Sequence, residues 1–505
     1  MPSRPAFLIA VVACIACPPF ALGQQTSFDR QLETLDLATR GLNVPSAEIF
    51  ARADKLAAVG PLQADRQNHR FDLPEGQKRV SRSPIDILMR RIGLSASEGF
   101  VEASLKAQPD PQASAIVIES GSHTLEDLRK ALFSKGIEDY LEKGPQGYIA
   151  HRPIFVWSGA ALSIGPQESL TLEGSEGAFI VNTGVLEIVD ARLNGSSDAK
   201  KVFRPFLLTT FNGATVASGS EISGLGFSAF PESSGLAFTH QGLSGSSAAS
   251  ALWDNVFSDG VGVAISGSNG IDLSGNRFVD ASRTAILVKA ARDVRVADNI
   301  VSQLAGAHGI KVADGSSQID ISHNIIIGSP GNAIFVDSGA TEVTISGNLV
   351  GKSRLTGISV VNAACVAITH NAAIANGSRG IAMRSVLNSK IEDNILIANG
   401  SAGLAISGQS THAALLVSQN VFKDNRFGLS GTGFGEVNFL ANDFDRQLPR
   451  IADGEFASHV GGLLEFAATR KSGEFRFRTN RPEGQDDLSQ FSAVDLARCV
   501  AKKGA

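Results

Sequence analysis

Large rings and soft side chains are scarce in this chain of 505 residues: aromatics make up 6%, with 2 Trp, 2 Tyr and 3 Met. That argues against a core built on big rings or thioethers. Cysteine is equally sparse. Two of the 4 fall in the first 17 residues, leaving Cys365 and Cys499, too few for a disulfide framework. Two free or buried thiols are expected there, with a bridge from one to the other as the alternative. The formal charge of -5 is too mild to draw the chain to nucleic acid or an anionic membrane. No zinc spacing, phosphate loop or Gly-x-Ser-x-Gly elbow occurs. Both tyrosines, Tyr140 and Tyr148, precede the regular part of the chain, which leaves that part without a phenolic proton donor. Beyond the N-terminus no apolar run is long enough to span a bilayer.

What the chain has is a beat. Asparagine recurs at Asn255, Asn276, Asn299, Asn324, Asn348, Asn371, Asn394 and Asn420, at intervals of 21 to 26 residues. Each closes a phrase of alternating apolar and polar residues, such as Gln318-Ile-Asp-Ile-Ser-His-Asn324 or Glu342-Val-Thr-Ile-Ser-Gly-Asn348. A second phrase keeps the same period: Gly262-Val-Ala-Ile, Gly309-Ile-Lys-Val, Gly357-Ile-Ser-Val, Gly380-Ile-Ala-Met and Gly403-Leu-Ala-Ile. Strands this short cannot bury a face alone, but stacked units bury a continuous core. The pattern predicts an all-β fold, a right-handed parallel β-helix of coils of about 23 residues, with the asparagines stacked at one corner where they tolerate the left-handed conformation. With no 3.6-period apolar face between the corners, leucine-rich and helical repeats are poor competitors.

The ends differ from the middle. Arg4, the apolar run Phe7 to Cys17 and Ala21-Leu-Gly23 read as a signal peptide over residues 1–23, so a periplasmic location is expected, with a lipoprotein as the lesser alternative. Residues 24–114 are polar and contain proline, with weak helical stretches near Leu32–Leu42 and Ile85–Ile92. In residues 115–150, Thr124 is placed to cap an amphipathic helix over the open core, with Glu126 and Asp127 in its first turn. Residues 151–450 carry the β-helix and 451–505 its C-terminal cap, drawn from Gly461–Phe477 and Asp495–Lys502.

With core filling the inside, chemistry must come from outward residues. Aligned on the Gly-Ile phrase, the preceding positions run Thr284, His308, Asn332, Thr356 and Arg379, and the following ones include Lys289, Asp314, Asp337, Asn362 and Arg384. With Lys311 and Arg354 they form one polar strip, whose cations suit an anionic exopolysaccharide. The plainer explanation is a solvated face, and for His308 a corner histidine bonded to backbone. Trp253 is the candidate sugar platform. Asp314 and Asp337 are the one carboxylate pair with a spacing worth weighing for a hydrolase. No cofactor is indicated; Asp272, Asp293, Asp314, Asp320 and Asp337 are available to calcium, but no spacing demands it.

The run Gly177-Ala-Phe-Ile-Val-Asn182, Val185 to Gly195 and Phe203-Arg-Pro-Phe-Leu-Leu208 resembles the opening coils of the periplasmic mannuronan (alginate) C5-epimerases, and the likeness extends over about residues 115–430. The resemblance implies an enzyme that abstracts the C5 proton of a polyuronate during export, in company with a secretion complex. In that family the base is the histidine of an Asp-Pro-His-Asp motif, and an arginine on the next coil neutralises the carboxylate. Here Leu287-Val-Lys-Ala290 takes the motif's place, setting Lys289 at the histidine and Asp314 at the arginine. Three readings stay open. One is an altered epimerase using Lys289 or His308 as base, Asp314 as a further catalytic group, and Lys311, Arg354, Arg379 or Arg384 on the carboxylate with Asp337 beside them. The others are a polyuronate lyase and a non-catalytic protein that binds or guides the polymer.

Overall fold

The computed structural model describes most of residues 71–462, with breaks at 94–95, 197–202, 228–229, 241–249 and 411–413 and at single positions; beyond these it describes 45–58, parts of 30–39 and the strand at 474–478. The signal segment and residues 495–502 lie outside the described residues.

The chain winds into a parallel β-helix with three faces. Sheets of 27 and 14 strands run its length. The larger holds two faces, because strands such as Ile358–Thr369 turn a corner and pair on both. On the first face, one residue per coil points inward in unbroken register, through Ile286, Ile310, Ile334, Ile358 and Ile381. All five are fully buried in one continuous core. Period-2 alternation sends their neighbours outward, so each strand position becomes a ladder along the solenoid.

The asparagines form a buried ladder. Asn276 N and Nδ2 both donate to Asn299 Oδ1, at 2.9 and 3.0 Å, while Nδ2 also donates to Leu252 O at 2.8 Å. The pattern runs on to Asn442. The sequence expectation needs one correction. The left-handed residue is the one before each asparagine, including Asp298, His323, His370 and Asp393, whereas the asparagines themselves are not at positive φ. The asparagine amide then spans coils while its neighbour makes the turn, which assigns His323 and His370 to corner duty. A second ladder, Asn376, Asn399, Asn425 and Gln447, stands at the corner leading back to the first face.

Helix α1 (Ser46–Ala57) lies on the outside of the third face. Its Ile49, Phe50, Ala53 and Leu56 pack on Ile325, Leu349 and Ile374. Phe50 fits because residue 351 is glycine: a Cβ there would stand 2.3 Å from its ring. Lys352 Nζ covers the same ring at 4.3 Å. Strand β1 (Arg79–Pro84) pairs antiparallel with β2 (Ser114–Thr124), the first rung. Between them, α2 (Ile85–Ile92) and α3 (Phe100–Ala107) bury Ile85, Met89, Ile92 and Phe100 against outward residues of the first face, among them Phe155, Val181 and Leu208.

Helix α4 (Leu125–Phe133) closes the front of the core with Leu125, Leu128 and Leu132. Thr124 Oγ1 accepts from Asp127 N at 3.1 Å and Asp127 Oδ2 accepts from Thr124 N at 3.2 Å, a reciprocal cap. Arg129, Tyr148 and Lys143 all donate to Glu126 and hold its carboxyl down at about 2. At the far end Phe456 stacks on Phe434 at 4.1 Å, and the strand Glu474–Arg478 pairs antiparallel with Glu436–Leu440. Cys365 is disulfide-bonded, which overturns the expectation of two free thiols; its partner lies outside the described residues.

Candidate functional site

The outward ladder of the first face changes character along its length. After Ala237, Ala264 and Leu287 come Lys311, Phe335, Ser359, Ala382, Ala405 and Ser430, each paired with the next. The first three adjoin the layer formed by α2 and α3. From Lys311 onward, no described helix covers the ladder.

Thr284, His308, Asn332, Thr356 and Arg379 do stack along one edge, through backbone bonds such as Ala285 N to His308 O and Gly357 N to Arg379 O. Arg354 projects from the neighbouring loop and is exposed, as is Arg379. On the other edge the register differs from the alignment on the Gly-Ile phrase. Lys289 pairs with Ala313, not Asp314, and Arg384 pairs with Val361. Asp314 sits one position on, with Ala290, Ser338, Asn362 and Ser385, all at positive φ. Asp314 follows Ile310 by four residues where Lys289 follows Ile286 by three, so its carboxylate stands on the corner rather than on the strand.

This displacement sets the chemistry of the pair. Lys289 Nζ lies 3.2 Å from Asp314 Oδ2, with both side chains partly exposed. The ammonium is thus already engaged by a carboxylate, and a substrate would have to displace Asp314 to reach it. Asp337 is turned back on its own corner, where Oδ1 accepts from Ser338 N at 2.6 Å. By contrast, Lys311, Arg354, Arg379 and Arg384 form no ion pair among the described residues.

His308 does not have the geometry of a base either. Its Nδ1 accepts from Asn332 N at 3.2 Å, and Gly331 leaves room for this, since a Cβ there would meet Nδ1 at 2.9 Å. With Nδ1 accepting, the neutral ring carries its hydrogen on Nε2 and presents a donor. Burial, then the nearby Lys311 charge, push its pKa below the usual histidine value. The ring lies 5.0 Å from Phe335, and Lys311 Nζ is 5.5 Å from the Phe335 centroid, so the three side chains form one cluster. Phe335 was missed in the sequence because its partners are set by register.

The lowered pKa has a testable sign. Unfolded histidine takes up a proton near its ordinary value while folded His308 resists, so its contribution to folding becomes unfavourable as pH falls through that value. The ring proton resonance of His308, assigned by its loss in His308→Gln, is expected to titrate with a midpoint below 6.5, the ordinary value. A midpoint at or above it would remove the neutral-donor assignment.

Other expectations fall away. Trp253 is 5% exposed and donates to Asp272 Oδ2 at 3.1 Å, so it offers no sugar platform. Asp272, Asp298 and Asp320 surround Arg295, at 3.4, 3.6 and 4.0 Å. Among the described residues no three His, Cys, Asp or Glu side chains are grouped to hold a metal ion.

Comparison with known proteins fits this architecture. The family model described as right handed beta helix region matches residues 209–350 and 338–447. A mannuronan C5-epimerase of Pseudomonas aeruginosa is 34% identical over 125 residues, 23% of this chain and 22% of that protein. The corresponding figures for the Azotobacter vinelandii enzyme AlgG are 33% over 123 residues, 22% and 23%. The matched stretch thus spans under a quarter of these curated relatives. The crystal structure of the periplasmic alginate epimerase AlgG superposes with a TM-score of 0.62 at 18% identity, covering 76% of this chain and 99% of that one. The chain is a right-handed parallel β-helix protein, similar over part of its length to mannuronan C5-epimerases.

Proposed function

We propose that the chain holds an anionic polysaccharide, of the polyuronate class, along the open part of its first face. The observation that carries this is the set Lys311, Arg354, Arg379 and Arg384, four cations on neighbouring coils with no ion-pair partner among the described residues. A solvated face of mixed sign would pair its charges, as Arg295 does with Asp272, Asp298 and Asp320 on the second face. The polymer would run along the solenoid over a floor of small residues, its carboxylates meeting guanidinium and ammonium groups. The protein would work in the periplasm, alongside a polysaccharide secretion complex. Among the described residues no helix is long and apolar enough to cross a membrane.

Epimerisation at C5 is the second reading, favoured by the sequence likeness to mannuronan C5-epimerases. It requires Lys289 to release Asp314, or His308 to exchange its backbone bond for substrate, and the same proton abstraction followed by elimination would make a lyase. Isothermal titration of the purified protein with polymannuronate, and with dextran as a neutral polymer, tests the proposal. Salt-sensitive binding of polymannuronate alone is expected. Equal response to both polymers would sink it. Proton NMR of the same mixture in deuterated water separates the readings: deuterium at C5 with guluronate signals means epimerisation, and unsaturated ends mean a lyase.

A further inference from the structure

The open strip of the first face has a stop at one end. Upstream of Lys311 the outward positions Phe155, Val181, Leu208, Ala237 and Ala264 are buried in one apolar cluster with α2 and α3, the short turn Pro231–Ser233 lying against the last of these strands, and Leu287 packs at the margin of the same cluster. This layer is anchored firmly. Phe100 meets Phe206 and Phe230 edge-on at 6.0 and 6.1 Å, Arg91 sits over Trp157 at 4.9 Å, and Ser97 N donates to the buried Glu232 at 2.6 Å. A helix with its side chains is about 10 Å thick. The floor downstream consists of Ser359, Ala382, Ala405 and Ser430, none of which rises far from the sheet. The cluster of His308, Lys311 and Phe335 occupies the step between them.

Resting on the polyuronate reading above, we infer that this strip is a groove closed at one end, and that it takes a terminal stretch of the polymer. An internal stretch laid along the solenoid axis would run into α2 and α3 and have to leave the surface there, forfeiting the contacts at the step. A chain end stops at that point. Its last ring rests against Phe335, its carboxylate meets Lys311 Nζ, and a ring or carboxylate oxygen accepts from His308 Nε2. The open rungs from Lys311 to Ser430 span roughly 24 Å at the inter-strand spacing, so the groove suits a short terminal run.

Stoichiometry reads this directly. Polymannuronate is separated into fractions of different mean chain length, chains are counted from end-group NMR signals, and each fraction is titrated calorimetrically at equal uronate mass into the full protein. The number of protein molecules bound is expected to follow the number of chains, falling in inverse proportion to mean length, and the short fraction should bind as tightly as the long. Sites that follow total uronate mass would overturn the chain-end inference while leaving the polyuronate reading in place. No heat with any fraction would overturn both.

Discussion

Asn324→Ala is expected to destabilise the protein by about 3–5 kcal/mol, from three or more buried groups left unpaired at roughly 1–3 kcal/mol each. Asn324 Oδ1 accepts from Asn299 N and Nδ2, both at 3.0 Å, and its Nδ2 donates to Val296 O at 2.8 Å and Asn348 Oδ1 at 3.0 Å. Asn299, Asn324 and Asn348 are 0 to 1% exposed, so water cannot readily replace the amide. The damage should spread, because each coil is held by its neighbours and a broken corner uncouples both sides. Urea unfolding followed by circular dichroism measures it. A loss under about 1 kcal/mol would mean that the ladder closes around the gap and contributes little.

The second large effect concerns binding. Replacing Lys311, Arg354 and Arg379 together by alanine is expected to weaken polymannuronate binding about 100-fold, at roughly 1 kcal/mol for each exposed charge contact, and to flatten its salt dependence. Folding should be untouched, since these side chains form no ion pair among the described residues. Lys289→Ala should change binding far less, because its ammonium is already engaged by Asp314. If the triple variant bound as the parent does, the polymer would have to lie on another face. If Lys289→Ala alone abolished binding or activity, the pair would regain a central role.

Much of this architecture was legible beforehand because its causes are local. The asparagine beat and the period-2 phrases each need only a few residues to be read, and the capping box at Thr124 and Asp127 is written within one turn. The second ladder had a signal that went unread: Asn376, Asn399 and Asn425 stand 23 and 26 residues apart. The site was harder. Aligning Lys289 with Asp314 misplaced the carboxylate by one position, because Asp314 lies one residue further from Ile310 than Lys289 does from Ile286 and so falls on the corner. Trp253 read as a surface ring, yet it packs with Val216, Ala251 and Phe71. No spacing in the sequence brings His308, Lys311 and Phe335 into contact; they meet because coils stack in register.

The repeat by itself determined that this chain is a parallel β-helix, since alternation chooses the buried face of every strand and the corner residues choose where the chain turns. Which outward residues remain open was decided only in three dimensions. Helices α2 and α3 pack with the apolar part of the first face, while α1 covers part of the third. Exposure is a property of what lies above a side chain, and a helix distant in sequence leaves no mark on the strand it covers beyond an apolar residue where a polar one would serve.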